Sequence, residues 1–286
     1  MDISVIIVNY NTCELTINCI KSVYEMTSGI DFEIILVDNN SEDTSLIEIK
    51  RHFPSVVIVE NETNIGFGRA NNKGAELAKG KYLFLLNSDT ILVENILKTF
   101  FLFMEEHVEY ASCGCNLIDA NGICTISHGC LPSLLKEFFL LGLYKILPSY
   151  YNNNLSDGQT ALQGCLADTG YISGADIFVR KEVFDELKGF DDKIFLYFEE
   201  TDLFFRMKES GYKSCVLDSY KIIHLGGASS AANVRKMSLY VRSMFYYYRK
   251  HHSAVYTKMV KLVLLLRIML FPMSNKREII KTVLKS

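Results

Sequence analysis

Short apolar runs alternate with longer segments of helical spacing over the first ninety residues. The apolar runs are rich in β-branched and aromatic residues and cover 4–8, 33–37, 56–59 and 82–86. Runs of this length and composition are typical of strands buried on both faces of a parallel sheet. The helical pattern covers 14–26 and 66–79, and Gly80 is expected to stop the second helix. The alternation predicts an α/β fold with a Rossmann-like, mostly parallel sheet flanked by helices.

Polar residues follow the predicted strands at their carboxyl ends, the edge at which open α/β sheets bind ligands. They are Asn9 and Tyr10, Asp38, and the run Asn87, Ser88 and Asp89. Carboxylate and amide oxygens suit a divalent cation, although Asn, Ser and Asp also favour simple turns. The pattern Gly66-Phe67-Gly68 matches neither a dinucleotide-binding nor a Walker motif. Residues 1–110 are therefore predicted to form a nucleotide-binding half of another kind.

The second half contains a predicted helix over 93–107, a strand over 111–118 and a largely apolar segment over 131–150. We expect the segment 131–150 to be one helix bracketed by prolines, too short for the roughly 20 apolar residues that span a bilayer. It is either a buried core helix or a flap that touches a membrane or an acceptor. Residues 152–158 are expected to form a loop.

Three further features carry candidate chemistry. A strand over 169–180 is broken at Gly174, which suits either the close approach of a ligand or a bulge. Acidic residues crowd the start of a helix that Gly211 ends, where they complement the helix dipole; the same field is expected to keep a general base ionised at neutral pH. His224 precedes two glycines, so it is either a turn residue or part of a diphosphate contact. The acids are Glu199, Glu200 and Asp202.

Charge is divided unevenly between the body of the chain and its C-terminal tail. Residues 235–286 carry 12 Lys and Arg against one acid, which leaves 18 bases and 32 acids for residues 1–234. An acidic body disfavours nucleic acid as a partner. The eight cysteines form no pair of CxxC units, and no basic region precedes the first apolar run. Reduced thiols in a cytoplasmic protein are the simplest interpretation.

The basic tail is predicted to form helices over 234–252 and 258–271, the second interrupted by Lys261 and Arg267. A basic amphipathic helix is typical of a protein that lies on an anionic membrane surface. The alternatives are a dimerisation helix, which would make the protein a homodimer, and a helix that caps the core. We expect a peripheral protein at the inner face of the plasma membrane.

The order and spacing of these motifs over about residues 3–250 resemble family 2 glycosyltransferases of the GT-A fold, in particular their rhamnosyltransferase-like branch. The matching segments are 4–11, 37–41, 64–72, 86–89, 173–175, 189–191, 197–203 and 224–229. The resemblance implies a GT-A domain over 1–232, with an acceptor and catalytic half over 111–232. A helical, membrane-associating extension then covers 233–286.

The resemblance also implies roles for individual residues. Asp89 and His224 would hold Mg²⁺ or Mn²⁺, with Asp89 the main ligand because Asn87 replaces the first acid of the family's metal motif. Glu200 would be the general base, with Glu199 or Asp202 able to share that task. The nucleotide-sugar site would contain Asn9, Tyr10, Asp38, Asn64, Gly66, Arg69, Asn87, Ser88 and Gly174.

The function implied is inverting transfer of a sugar, with rhamnose from dTDP-rhamnose favoured, to a hydroxyl of a lipid-linked glycan acceptor in cell-surface polysaccharide synthesis. The alternatives are a UDP-sugar transferase, for galactofuranose, galactose or N-acetylglucosamine, and a nucleotide-sugar-binding protein without turnover. The joint presence of Asp89, Glu200 and His224 favours an enzyme.

Overall fold

The computed structural model describes residues 1–158, 165–167 (backbone only), 169–226, 234–271 and 275–286. The strands in these ranges are β1 Ile3–Asn9, β2 Phe32–Asp38, β3 Val57–Glu60, β4 Tyr82–Asn87, β5 Thr90–Leu92, β6 Tyr110–Ile118, β7 His128–Gly129, β8 Cys165–Ala167, β9 Tyr171–Ile172, β10 Asp176–Arg180 and β11 Lys213–His224. The α-helices are α1 Cys13–Met26, α2 Ser45–His52, α3 Phe67–Leu77, α4 Ile96–Glu106, α5 Leu134–Phe139, α6 Pro148–Asn154, α7 Lys181–Glu186, α8 Glu199–Glu209, α9 Val234–His251, α10 Ala254–Leu270 and α11 Lys276–Lys285.

One mixed sheet organises the described residues, in the strand order β3-β2-β1-β4-β10-β6-β11-β5, with β8 paired to β11. Its first four strands in this order are parallel. Strand β10 runs antiparallel between β4 and β6, whereas β6 and β11 are parallel. Strands β5 and β8 lie antiparallel to β11. The predicted α/β fold with a mixed sheet is confirmed.

The strand register brings the polar strand ends together. Asn9 lies opposite Asp38 in the β1–β2 pair, and Val8 lies opposite Asn87 in the β1–β4 pair. The strands themselves are apolar and buried, with one core cluster on each face of the sheet. Burial on both faces explains why these strands appear in the sequence as continuous apolar runs.

The C-terminal helices pack against the body of the protein. Phe198, the residue before α8, belongs to the same apolar cluster as Phe245 and Tyr247 of α9 and Ile268 of α10. The Ser243 hydroxyl donates to the Leu196 carbonyl oxygen at 2.8 Å. Among the described residues, no helix is both long and apolar enough to cross a membrane.

The prediction of one helix over 131–150 is wrong. The structure has α5, a short 3₁₀ turn over Leu143–Lys145, and then α6. Helix α5 ends at Phe139, and Gly142, the residue before the 3₁₀ turn, has φ of 123°, a conformation that favours glycine. Pro148 occupies the first turn of α6, where its missing N–H costs nothing. Helix α6 also takes in Asn152–Asn154, which were expected to be in a loop.

Candidate functional site

A closed set of hydrogen bonds joins the ends of β1 and β2. The buried Asn9 amide donates to Asp38 Oδ1 at 2.6 Å, and the Ser41 hydroxyl donates to the same oxygen at 2.6 Å. The backbone N–H of Ser41 donates to Asp38 Oδ2 at 2.8 Å. The hydroxyls of Thr12 and Thr16 both donate to Asn9 Oδ1 at 2.8 Å. The Asp38 carboxylate is therefore held in one orientation, with acceptor capacity left on Oδ2.

A second network places the loop before α3. The buried Asn39 amide donates to the Gly66 carbonyl oxygen at 3.2 Å, and Asn64 Oδ1 accepts from the Gly66 N–H at 3.0 Å. Gly66 has φ of 92°, and a Cβ there would collide with the carbonyl oxygen of Phe195. Only glycine fits this position without rearrangement. The loop before α3 thereby lies against Phe195, in the segment that leads into α8.

Asn87, Asp89 and His224 meet where β4 and β11 end. Asp89 Oδ1 and His224 Nε2 are 3.2 Å apart, and the Asn87 amide nitrogen lies 3.5 Å from His224 Nε2. Burial acts to raise the pKa of Asp89, but the hydrogen bond and charge of His224 outweigh it and the pKa lies below its ordinary value. Asp89 is thus ionised at neutral pH. The Ser88 hydroxyl reaches Thr12 Oγ1 at 3.2 Å, which ties this group to the β1 end.

The donor set at Asp89 and His224 fits a divalent cation that takes its remaining ligands from a bound phosphate. One carboxylate oxygen and one imidazole nitrogen face each other, and Mn²⁺ and Mg²⁺ sites at phosphates commonly use few protein ligands. Within the described ranges, no group of three or more His, Cys, Asp or Glu side chains is arranged to hold a metal by itself. A cation here would depend on the ligand.

Helix α8 begins with two carboxyl groups in different surroundings. Glu199 is buried, and its Oε2 has no hydrogen-bond partner among the described residues. Burial, and then the charge of Glu200, raise its pKa far above the ordinary value. Glu200 is half-buried, and burial raises its pKa to about 7. At Glu199 and Glu200 desolvation therefore outweighs the field of the helix terminus, which favours the ionised form.

The backbone just before α8 is strained. Tyr197 and Phe198 have φ of 67° and 70°, in the left-handed region that non-glycine residues seldom adopt. The ring of Phe198 is held by Tyr240 and Tyr247 of α9, with centroids 5.2 and 5.7 Å away. Strain of about 1–3 kcal/mol per residue persists only where packing enforces it, and such sites are common beside catalytic groups.

Asp202 is bound by three cationic or titratable side chains. Its Oδ1 accepts from Lys250 Nζ and His251 Nε2, each at 2.7 Å, and its Oδ2 accepts from Arg206 Nε at 2.8 Å. Burial acts to raise the pKa of Asp202, but the His251 hydrogen bond, Arg206 and Lys250 together lower it to about 2. The structure places Asp202 in a buried link between α8 and α9, with both carboxylate oxygens engaged.

Glu200 lines a cavity of about 280 Å³ between α8, the segment 130–157 and the C-terminal helices. Its wall is aromatic and apolar, with a few charged groups that are already paired: Lys136 with Asp157 at 2.6 Å, and Arg267 with Glu137 at 3.2 Å. The aromatic and sulfur-containing lining consists of Cys130, Tyr151, Tyr171, Tyr197, Phe198, Met237, Tyr240 and Met244.

A short segment connects this cavity to the strand ends. Tyr171 lines the cavity beside Glu200, and four residues later the Ala175 carbonyl oxygen accepts from the Asn87 N–H at 3.1 Å. An extended chain covers about 3.3 Å per residue, so the two places are roughly 13 Å apart at most along this path. Gly174 lies within the segment, and a Cβ added there would meet the Phe67 ring at 3.6 Å, an ordinary van der Waals distance.

Two predicted nucleotide-sugar-site residues have exposed side chains, unlike the buried Asn9 and Asp38. Arg69 is exposed on α3, and its Nε donates to the Asp192 carbonyl oxygen. Tyr10 is 48% exposed beyond the end of β1. Sequence reasoning did not assign Ser41 or Asn39 to the site, although both follow Asp38 directly. It also missed the cavity residues of α9 and α10, which no local pattern connects to Glu200.

Comparison with known proteins identifies the class. Residues 4–141 match the family described as glycosyl transferase family 2. The N-acetylglucosaminyl-diphospho-decaprenol L-rhamnosyltransferase of Mycobacterium tuberculosis is 22% identical over 235 residues, covering 77% of this chain and 75% of that protein. The poly(ribitol-phosphate) beta-glucosyltransferase of Bacillus spizizenii is 33% identical over 142 residues, which cover 48% of this chain and 22% of that protein.

Solved structures share the fold. A mannosyltransferase from Pyrobaculum calidifontis, in complex with GDP-Man and Mn²⁺, superposes with a TM-score of 0.60 at 12% identity, covering 99% of this chain and 73% of that chain. S. aureus TarS 1–349 in complex with UDP-GlcNAc superposes with a TM-score of 0.58 at 15% identity, covering 99% and 79%. The chain is a glycosyltransferase of the GT-A fold. Its residues 4–141 belong to glycosyl transferase family 2, and the chain is similar to rhamnosyltransferases.

Proposed function

We propose that this protein transfers a sugar from a nucleoside diphosphate to an acceptor hydroxyl with inversion at the anomeric carbon. The observation that carries the proposal is the placement of Glu200. It is a carboxyl group of raised pKa that lines a cavity, and the segment Tyr171–Ala175 leads from this cavity to Asn87 beside Asp89. A base near the acceptor and an anion-stabilising site near the donor are the two requirements of such a transfer.

We assign the binding site of the nucleotide-sugar donor to the ends of β1, β2 and β4. Asp38, held by Asn9 and Ser41, is positioned to accept hydrogen bonds from the nucleoside. Asp89 and His224 would hold Mg²⁺ or Mn²⁺ together with the diphosphate. When bound, the cation offsets the negative charge that develops on the leaving diphosphate. Asn64 and Gly66 shape the loop beside this pocket through their mutual hydrogen bond.

We assign to Glu200 the role of general base, which takes the proton of the acceptor hydroxyl. As the acceptor hydroxyl attacks the anomeric carbon, its proton passes to the Glu200 carboxylate, and the bond to the diphosphate oxygen breaks on the opposite side. A base whose pKa is near the working pH is suited to this task. Burial and then the charge of Glu200 raise the pKa of Glu199 and disfavour its ionisation, whereas Asp202 has both oxygens bound and acts as a positioning residue for α8.

The favoured donor is dTDP-rhamnose, and the support is the rhamnosyltransferase relative that spans most of the chain. A UDP-sugar is the second candidate, because TarS shares the fold and was solved with UDP-GlcNAc. A thermal-shift series with dTDP-rhamnose, UDP-galactose and UDP-N-acetylglucosamine, each with and without Mn²⁺, distinguishes them. Stabilisation by a UDP-sugar but not by dTDP-rhamnose would reassign the donor.

The acceptor is assigned to a lipid-linked glycan at the inner face of the plasma membrane. The relative from Mycobacterium tuberculosis is named for a diphospho-decaprenol acceptor, and the C-terminal segment of this chain carries 12 Lys and Arg against one acid. The cavity beside Glu200 offers tyrosine rings against which a sugar can pack. We place the protein peripherally on that membrane, with residues 233–286 as the membrane-associating part.

The decisive experiment measures nucleoside diphosphate release in the parent protein and in Glu200→Gln. The parent should release it slowly without acceptor and faster with acceptor, whereas Glu200→Gln should bind donor and release little. A protein that binds donor and never releases nucleoside diphosphate would instead be a binding protein without turnover.

A further inference from the structure

Helix α10 has two apolar faces, and the fold uses only one of them. Its inner face packs into the C-terminal cluster through Val260, Leu264 and Ile268. On the opposite side, large apolar residues recur every three or four positions and remain exposed: Val255, Met259, Leu262, Leu266 and Met269. Leu262 and Met269 expose 59% and 62% of their surface. Residues at this spacing share one side of a helix, so they form a continuous outer stripe.

An outer stripe of this kind is unusual on a surface helix, whose solvent face is ordinarily polar. Single exposed leucines are common, but aligned ones mark a contact surface. The segment that follows α5, which packs beside α10, also exposes Leu143, Ile146 and Leu147. An apolar stripe in basic surroundings fits a partner that is apolar and negatively charged.

The charge around the stripe selects between a membrane and a second copy of the chain. Lys258 is exposed on α10 itself, and Arg277 and Lys285 are exposed on α11. A two-fold dimer through this face would bring the same basic helices of both copies together, and like charges across an interface oppose association. An anionic lipid surface attracts the same residues and receives the apolar stripe.

We propose that the outer stripe of α10 inserts into the headgroup region of an anionic membrane. The inference deepens the proposed function, on which it rests, by naming the docking surface. Leu264, Arg267 and Ile268 of the same helix line the cavity that contains Glu200. Docking through the outer stripe would thus set the inner face of α10, and the acceptor cavity with it, directly above the lipid.

The test is flotation of the full chain with phosphatidylcholine vesicles, with and without phosphatidylglycerol. The parent should float with the anionic vesicles at low salt and be released by high salt. The double variant L262E/L266E should lose at least about tenfold of its vesicle affinity, since each buried leucine supplies much of the binding free energy. The matched control Ile47→Glu changes an equally exposed apolar residue of α2 and should float like the parent.

Nucleoside diphosphate release without vesicles separates this inference from the proposed function. It should be unchanged in L262E/L266E, whose side chains lie outside the cavity. A second pair, M259Q/M269Q, tests the same stripe without adding charge and should also weaken flotation. Parent-like flotation of both pairs, or a parent that never floats, would overturn the inference. So would a parent dimer, measured by sedimentation, that L262E/L266E converts to a monomer.

Discussion

The Asp89 carboxylate and the His224 imidazole are 3.2 Å apart because the antiparallel pair β5–β11 sets His224 opposite Thr90, the residue after Asp89. The Leu225 N–H also donates to the Asp89 carbonyl oxygen at 2.9 Å, so a backbone hydrogen bond links the two segments as well. Asn87 contributes only a 3.5 Å approach to the same imidazole. Of Asn87, Asp89 and His224, Asp89 is therefore the residue that supplies negative charge.

This inequality predicts different results for substitutions at positions 87 and 89. Asp89→Asn should abolish Mn²⁺-dependent donor binding and lower turnover by about 10²-fold or more, because the carboxylate oxygen at the proposed cation site is lost. Asn87→Ala should change either quantity by less than about tenfold, since a neutral amide attracts a cation less than a carboxylate does and the Asn87 amide nitrogen faces His224. Calorimetric titration of donor, with and without Mn²⁺, measures the difference. Equal losses in the two variants would remove Asp89 from its special role.

The proposed base predicts a loss of turnover without a loss of donor affinity. Glu200→Gln should lower kcat by about 10²–10⁴-fold, the usual contribution of a general base, while the donor affinity changes little. Glu209→Gln is the matched control, because Glu209 is exposed at the far end of the same helix. Parent-like turnover in Glu200→Gln would exclude Glu200 as the base, and Glu199→Gln would then be the next variant to measure.

The raised pKa of Glu200 predicts the pH dependence of the reaction. The carboxylate is the active form, so kcat/KM should rise with pH and level off above about 7, the value to which burial raises this pKa. The residual activity of Glu200→Gln should lack that inflection. An inflection that survives the substitution would belong to another group.

The same shift predicts that removing this acid stabilises the protein at alkaline pH. Between the ordinary value of 4.5 and the folded value of about 7, the folded state holds the Glu200 proton more tightly than the unfolded state. The contribution of Glu200 to stability therefore falls as pH rises through that window. Glu200→Gln should have a Tm at pH 8 at least equal to that of the parent. A lower Tm would mean that its lost activity partly reflects unfolding.

Much of the fold follows from local pattern, whereas the site depends on contacts between distant segments. The β-branched runs that form β1, β2 and β4 predict both the parallel strands and the edge where Asp38 and Asp89 gather. Strand β5 spans only Thr90–Leu92, too few residues for a periodic signal. Its pairing with β11, which sets His224 beside Asp89, therefore has no local signature.

The acids of α8 show a second limit of the sequence. In the sequence, Glu199, Glu200 and Asp202 are three acidic residues that nothing distinguishes by role. In the structure, successive residues of a helix are rotated by about 100°. Glu199 and Asp202 consequently lie on one side, which is buried, while Glu200 turns to the cavity. Arg206 lies on the same helix, but the other two partners of Asp202, Lys250 and His251, come from α9, almost 50 positions later, so its structural role depends on packing that no local motif encodes.

Gly66 provides a prediction with an internal control. Gly66→Ala places a Cβ against the Phe195 carbonyl oxygen and also forces alanine into φ of 92°. Gly122→Ala has a similar φ of 80°, but no atom lies within 4 Å of the new Cβ. Gly122→Ala should lose about 1 kcal/mol from the conformational penalty. Gly66 has φ of 92° and ψ of 170°, a region that essentially only glycine adopts, so Gly66→Ala should lose more and weaken donor binding. Equal unfolding free energies in urea would show that the Phe195 contact relaxes freely.

The Asp202 link predicts a stability effect of known sign and pH window. Asp202→Asn leaves Lys250, His251 and Arg206 without their shared carboxylate, and removal of one partner from a buried ion pair costs about 3–5 kcal/mol. The exposed pair Lys181–Asp185 is the control, and Asp185→Asn should cost less than about 1 kcal/mol.

The pH window of that effect follows from the lowered pKa of Asp202. Because the folded value is about 2 and the ordinary value is 3.8, the stabilisation is complete above about pH 4 and is lost as the pH falls toward 2. Urea unfolding of the parent and of Asp202→Asn at pH 7, 4 and 3 should show similar gaps in stability at pH 7 and 4 and a narrower gap at pH 3. A gap as wide at pH 3 as at pH 7 would mean that the Asp202 carboxylate does not supply this stabilisation.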